Sequence, residues 1–204
     1  MVLSVFMRNH CRAAGQRISL YDDNENHFDY LPMTFALAKL PVTQAQWQMP
    51  INTPLGGMTL VASQEGLQGA WFDHQAHRPD IAALPWGSSQ PWLREARKQL
   101  CEYFAGQRQQ FELDLQPYAG SEFQRTVWQA LAMIPFGRFV SYAEIARHLG
   151  RPQAARAIGM AVGRNPLSIF LPCHRVVASD GALTGYAGGL DRKIALLQLE
   201  GTLL

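Results

Sequence analysis

The chain has 204 residues, 48% of them hydrophobic and 17% charged, with a formal net charge of +2. That supports one large or two small cores and excludes a wholly disordered chain. Three cysteines, Cys11, Cys101 and Cys173, are too few and too scattered for a disulfide framework or a four-cysteine zinc site, and they favour a reducing compartment.

Residues 1–43 lack sustained periodicity, and Asp22-Asp23-Asn24-Glu25-Asn26 reads as solvated. The segment is therefore expected to be a loosely ordered extension, with Met33 a second candidate for the initiating residue. Its apolar start, Met1 to Met7, is followed rather than preceded by Arg8, His10 and Arg12, which argues against a signal peptide or a membrane span. From Trp47 the pattern sharpens. Residues 47–53, a turn at Pro54-Leu55-Gly56-Gly57, then residues 58–63 and 67–72 around Glu65-Gly66 read as an antiparallel meander. Leu93, Ala96, Leu100 and Phe104 recur at helical spacing before Gly106; Phe111, Leu113 and Leu115 then alternate with Glu112 and Asp114 as a further strand. His74 and His77 read as solvated loop residues rather than metal ligands.

A second unit begins near Ser121. Ser121-x-x-Gln124 is a capping-box signature, and Phe123, Val127, Ala130, Leu131 and Ile134 form a helical apolar face ending before Pro135-Phe136-Gly137. Ser141-x-x-Glu144 is a second capping box, opening a helix through His148 that stops at Gly150-Arg151-Pro152; a third helix runs from about residue 153 to 163. Two helices joined by a short glycine-containing turn make a helix-turn-helix candidate. On the third helix Ala154, Ala157, Ile158 and Ala161 share the buried side, leaving Ala155, Arg156, Gly159, Met160 and Gly163 on the other. Small residues around one arginine allow close approach to another surface, whether a DNA groove or a packed helix. Residues 1–118 carry 9 Lys/Arg against 11 Asp/Glu (net −2), and residues 119–204 carry 9 against 5 (net +4). The second half is thus the one suited to a polyanion.

Within it, Pro172-Cys173-His174-Arg175-Val176 sets a thiol beside an imidazole in an otherwise apolar stretch. The thiolate is the attacking form, so a reactive cysteine needs a neighbour that takes its proton, and His174 is adjacent. Pro172 fixes one backbone dihedral and biases Leu171 towards an extended conformation, while residues 167–171 read as a short buried segment leading into the turn. On these residues alone, a buried apolar cysteine beside a structural histidine stands as the alternative.

Ala154-Ala155-Arg156-Ala157, Gly163-x-Asn165-Pro166, Pro172-Cys173-His174-Arg175-Val176-Val177 and Gly185-Tyr186-Ala187-Gly188-Gly189 occur in that order, together with Tyr142 and Glu200. In these motifs the chain resembles the O6-alkylguanine-DNA alkyltransferases, most closely the bacterial constitutive type. The resemblance covers about residues 44–204 and is most specific from Ser141 to Gly201. It implies an α/β fold with an amino-terminal ribonuclease H-like sheet-and-helix domain (44–118). A carboxy-terminal helical, winged-helix-like domain (119–204) would carry the helix-turn-helix, bind DNA and accept the alkyl group. The implied activity is irreversible, single-turnover transfer of an alkyl group from O6-alkylguanine, with O4-alkylthymine a second candidate, to Cys173. The implied partner is double-stranded DNA containing alkylated bases, met through the minor groove. No cofactor, metal or membrane contact is implied, and the protein is expected to be monomeric and cytoplasmic.

By the same resemblance His174 takes the thiol proton through a water. Glu200, at the end of a helix patterned by Leu190, Ile194 and Leu197 and closed by Gly201, orients His174. Asn165 is expected to hydrogen-bond the backbone of the active-site turn. Tyr142 helps turn out the target nucleotide and donates a proton to the departing guanine, and Arg156 fills the vacated place, with Ala155, Gly159 and Met160 beside it against the DNA. Loop residues Val176, Tyr186, Ala187, Gly188 and Gly189 line the base pocket. Ala187 stands where some relatives carry a serine able to donate to the alkylated oxygen, which implies a roomier pocket. A DNA-binding regulator or damage-flagging protein without transfer is the alternative function. Alkyltransferase-like binding proteins replace the acceptor cysteine, and adaptive-response regulators carry an amino-terminal four-cysteine zinc module. Cys173 is present, and Cys11 is the only cysteine before residue 101, so repair is favoured. A cysteine hydrolase would need an oxyanion hole, for which the sequence offers no candidate.

Overall fold

β-Branched, aromatic and aliphatic side chains between Trp47 and Phe72 build a three-stranded antiparallel sheet of β1 (Trp47–Thr53), β2 (Gly56–Ala62) and β3 (Leu67–Phe72), ordered β1-β2-β3. The computed structural model describes residues 45–203; the extension, Met33 and Cys11 lie outside the described residues. The β1–β2 connection is shorter than the sequence suggests. Thr53 pairs with Gly56, whose φ of 105° falls where a side chain would be strained, so Gly56 and Gly57 belong to β2 and only Pro54 and Leu55 form the loop.

Helix α1 (Pro91–Phe104) packs on the sheet. Gln90 caps it, its side chain accepting from Leu93 N at 2.8 Å, and Pro91 supplies a first-turn residue that needs no amide partner. The buried face contains Leu93, Ala96, Leu100 and Phe104 as expected, and adds Gln99 and Tyr103. Gln99 exchanges two hydrogen bonds with the backbone of Glu112, at 3.0 and 2.8 Å. These bonds correct the expected strand over 111–115. The segment pairs with β3 only through an isolated parallel bridge between Leu67 and Leu115, because the Gln99 amide holds the Glu112 backbone that a ladder would require.

The second half contains α2 (Glu122–Ala132), β4 (Val140–Ser141), α3 (Tyr142–His148), α4 (Ala155–Gly163), β5 (Val176–Val177) and α5 (Leu190–Leu199). Both capping boxes form, at Ser121/Gln124 and Ser141/Glu144. The expected third helix opens as a 3-10 turn, Pro152–Ala154, before α4 proper, and its buried residues are Ile158, Ala161 and Val162. β4 and β5 pair in parallel, Val140 with Val176, closing a small wing beside the α3–α4 helix-turn-helix. On α5 the buried residues are Lys193, Leu196 and Leu197, with Glu200 at the cap, so the face is rotated from the expected Leu190/Ile194/Leu197 stripe. Buried partners for the two charged groups permit that rotation.

The architecture is α/β, a sheet-and-helix amino-terminal domain against a helical carboxy-terminal one, and one apolar core joins them. It runs from Met49, Leu60 and Leu100 through Val127 and Ile145 to Ile158 and Leu196. Each such fully buried side chain contributes about 1.5–3 kcal/mol. The outer edge of β3 is covered by the second half: Ala70 N donates to Pro166 O at 2.8 Å and Ser168 N to Ala70 O at 2.9 Å. Trp128 ties α2 to α4, its indole N–H donating to Ala161 O at 2.9 Å in the interior. Trp128→Phe removes one of two donors to that carbonyl, which keeps the Arg164 N–H at 3.2 Å, and should lower the free energy of urea unfolding by about 0.5–1.5 kcal/mol; an unchanged midpoint and slope would show that the bond contributes nothing.

Candidate active site

Pro166 to Pro172 forms a tight buried loop between α4 and the Cys173–Arg175 turn. Within it Ile169 has φ 74°, a conformation that costs a β-branched residue on the order of 1–3 kcal/mol. Surrounding bonds hold it. Leu171 N reaches Leu167 O at 2.8 Å, the β3 edge takes the Pro166 and Ser168 backbone, and Ser168 Oγ donates to Gln75 Oε1 at 2.9 Å. Asn165 organises the same loop: Nδ2 donates to Leu171 O at 2.8 Å, Oδ1 accepts from Leu167 N at 3.0 Å, and Nδ2 lies 3.0 Å from Cys173 Sγ. One amide thus holds the backbone and touches the thiol.

Cys173 is 5% exposed. Burial raises its pKa above the ordinary thiol value, opposed by the Asn165 amide and by the charge of Lys193, so at neutral pH the resting group is the thiol. His174, next in sequence, is fully buried, with Nε2 2.9 Å from Glu200 Oε1. Its Nδ1 is buried and without a protein hydrogen-bond partner. Burial lowers the His174 pKa, with Glu200 opposing, so the ring is neutral at rest.

Glu200 is the hub. Its carboxylate accepts from Tyr103 Oη at 2.7 Å, His174 Nε2 at 2.9 Å, and Arg175 Nε and Nη2 at 2.8 and 2.9 Å. Burial alone would raise its pKa. The hydrogen bonds from His174 and Arg175, together with the Arg175 charge, outweigh that and hold it at about 2. A carboxylate so placed only accepts, which puts the His174 proton on Nε2 and leaves Nδ1 as an acceptor. Tyr103, 97 residues from Glu200, is pushed far above the usual phenol range, by burial first and then by the Glu200 charge.

The structure brings Tyr142 and Tyr186 to the same centre. Burial and then the neighbouring Cys173 raise both phenols, and the Tyr186 hydroxyl is buried without a hydrogen-bond partner. The ring of Tyr142 lies 3.8 Å from where a Gly159 Cβ would stand, so this glycine lets α3 and α4 close up. On α4, Arg156 and Met160 are exposed while Ala155 and Gly159 are half-buried, away from the buried thiol. Ala187 and Gly188 lie in the loop before α5. Val176 is not a loop residue: it sits in β5, fully buried, because its side chain completes the core beside Val140. Its carbonyl accepts from Lys193 Nζ at 2.6 Å and its N–H donates to Cys173 O.

Sequence reasoning missed three groups. Arg175 lies inside the Cys-His motif, where nothing local marks it as a carboxylate partner, and Tyr103 lies off the expected α1 stripe with its partner 97 residues away. Lys193, 0% exposed, donates to Val176 O and Thr184 O, and burial lowers its pKa to about 8. Its only signal was a position beside the apolar stripe of α5. His74 and His77 are exposed loop residues, and among the described residues no cluster of three or more His, Cys, Asp or Glu is placed to hold a metal.

Two family models match the chain: the 6-O-methylguanine DNA methyltransferase ribonuclease-like domain over residues 50–117 and the DNA-binding domain over residues 122–202. A methylated-DNA–protein-cysteine methyltransferase of Methanosarcina acetivorans is 44% identical over 151 residues, covering 74% of this chain and 96% of its own. One from Mycolicibacterium paratuberculosis is 45% identical over 150 residues, covering 74% and 89%. Among solved structures, the O6-methylguanine methyltransferase of Mycobacterium tuberculosis matches with TM-score 0.70 and 40% identity over 78% of this chain and 94% of that one. The same organism's OGT in complex with DNA matches with TM-score 0.68 and 41% identity, covering 76% and 94%.

Because the Glu200 pKa falls on folding from 4.5 to about 2, the carboxylate contributes stability that is complete above pH 4.5 and is lost as pH drops through 2. The effect is on the order of 3 kcal/mol. Glu200→Gln should therefore be less stable at pH 7 and show a flatter acid limb; parallel curves of melting temperature against pH for the two proteins would contradict the assignment.

Proposed function

The chain belongs to the 6-O-methylguanine DNA methyltransferase family, and on that basis we propose that Cys173 is the residue that takes the alkyl group from the damaged base. The activity is DNA repair by direct, irreversible transfer of an alkyl group from O6-alkylguanine to a cysteine of the protein itself. The observation that carries the assignment to Cys173 is the buried chain Cys173, His174, Glu200. The thiol cannot ionise unaided, and the adjacent ring presents an acceptor nitrogen whose partner is a carboxylate.

In this reading the thiol proton passes through a water to His174 Nδ1, and Glu200 stabilises the imidazolium that forms. Asn165 Nδ2 donates to the developing thiolate. Sulfur attacks the alkyl carbon, the S–C bond forms as the C–O6 bond breaks, and the electron pair leaves on guanine. Tyr142, kept as a neutral phenol by burial, gives the departing base a proton. The product is a thioether without a good leaving group, so each molecule reacts once.

The thiol is buried, so a base in a duplex reaches it only when turned out of the stack. Arg156 on the exposed face of α4 fills the vacated place from the minor groove, with Ala155, Gly159 and Met160 beside it. Tyr186, Ala187 and Gly188 line the base pocket, together with the Val176 backbone. The two domains divide near residue 118, the second binding DNA and accepting the alkyl group. The active form is a cytoplasmic monomer needing no cofactor or metal; among the described residues no helix is long and apolar enough to cross a membrane. O4-alkylthymine is the second candidate substrate.

Intact mass and peptide mapping after exposure to methylated DNA should find one added alkyl group, on Cys173. Label on Cys101, or turnover beyond one equivalent, would overturn the assignment. Arg156→Ala should slow repair of duplex DNA by roughly tenfold or more, because extrusion costs a few kcal/mol. Its reaction with free benzylguanine should stay close to that of the unaltered protein. An equal loss on both substrates would make Arg156 a structural residue of α4.

A further inference from the structure

The loop from Thr184 to Gly189 is held by carbonyl contacts that reach in from two sides. Thr184 O accepts from Lys193 Nζ at 3.0 Å, Ala187 O from Ala76 N at 3.0 Å, and Gly188 O from Arg192 Nη1 at 2.7 Å. Arg192 is the unusual member. Its Nε also donates to Leu55 O at 2.9 Å, in the β1–β2 loop 137 residues away, and its guanidinium stacks 4.6 Å from the Phe72 ring centroid. One planar group therefore spans the tip of the amino-terminal hairpin and the loop beside Tyr186. Its geometry suits this role, since a guanidinium presents donors in a rigid fork and stacks on aromatic faces, whereas an ammonium offers neither.

Little slack exists around this contact. A Cβ on Gly188 would stand 2.8 Å from the Tyr186 ring and 3.0 Å from Phe72, and one on Gly56 would stand 3.2 Å from Arg192 Nη2. The Gly188 backbone is thus wedged between the pocket tyrosine and the amino-terminal sheet, with Arg192 fixing the separation. The geometry points to Arg192 as a positioning residue that presets the base-binding loop by anchoring Gly188 to the β1–β2 hairpin. This rests on the reading of Cys173 and the 186–188 loop given above. No hydrogen bond or ion pair joins Arg192 to Cys173, His174 or Glu200, so its effect falls on capture of the base and not on the transfer step. The amino-terminal domain thereby acquires a part in recognition: it supplies Leu55, Phe72 and Ala76 as the fixed wall against which the loop is set.

The test is single-turnover alkylation of the full chain by free benzylguanine, followed by intact mass at a series of base concentrations. Arg192→Met keeps the stem over Phe72 but removes both donors. It should raise the half-saturating concentration roughly tenfold, as expected for two lost charge-assisted bonds in a preorganised loop, with the maximal rate within about twofold. Arg192→Lys, which retains charge and can satisfy one carbonyl at a time, should fall between the two proteins. Unchanged half-saturation in both variants would overturn the inference. So would a fall in maximal rate at constant half-saturation, or a lower melting temperature with neither constant moved. Failure of the unaltered protein to gain a benzyl group on Cys173 would instead strike the function on which the inference rests.

Discussion

A carboxylate buried away from water survives as an anion only if donors replace its solvation, and the arrangement around Glu200 is the solution to that constraint. Three side chains from two parts of the chain converge on it with four hydrogen bonds: the α1 phenol and the imidazole and guanidinium of the turn after Pro172, all meeting at the cap of α5. Arg175 supplies the compensating charge, and a further bond from its Nη1 to Ile134 O fixes it to the end of α2. Removing any donor leaves a buried carboxylate lone pair unsatisfied, and removing Arg175 leaves the charge uncompensated as well, so the helices, the turn and the sheet domain are held in one relation. The same requirement dictates the chemistry, because an acceptor-only carboxylate fixes the histidine tautomer.

The thiol is prepared from the opposite side by backbone geometry. Asn165 spends its amide on the loop carbonyls and the sulfur together, and the left-handed Ile169 is tolerated because β3 and Gln75 hold the strands of the loop on both flanks. Here the amino-terminal domain braces the proposed reacting centre without contributing a reacting group. Tyr103 steadies the Glu200 end of the proposed relay, Gln75 and Ala70 the loop that leads to Cys173, and Ala76 the adjacent loop. A rigid scaffold suits a reaction performed once, since an attacking atom held in place loses little entropy in reaching the alkyl carbon.

What was legible in the sequence follows the range of the interactions. The capping boxes at Ser121 and Ser141 obey a rule three residues long, and both form. The meander and the α1 stripe rest on local periodicity and also appear. The strand expected at Phe111–Leu115 has the correct alternation, but Gln99, twelve or more residues away, takes the backbone that a ladder needed. The α5 face was misassigned for a related reason: a buried lysine and glutamate look solvent-facing until their partners, Val176 O and Arg175, are in place. Cys173 and His174 were readable as adjacent letters, and the substrate came from family resemblance. Tyr103 carried no local signal, since its partner is 97 residues distant.

Everything in this chemistry turns on Glu200 making His174 a neutral base with its proton on Nε2 and an open acceptor at Nδ1. Nitrogen-15 NMR of the histidine-labelled protein at pH 7, assigned by comparison with His174→Gln, reads this directly. A neutral His174 ring protonated at Nε2 with Nδ1 unprotonated is expected, a state lost in Glu200→Gln. A proton on Nδ1, or a resting imidazolium, would contradict it.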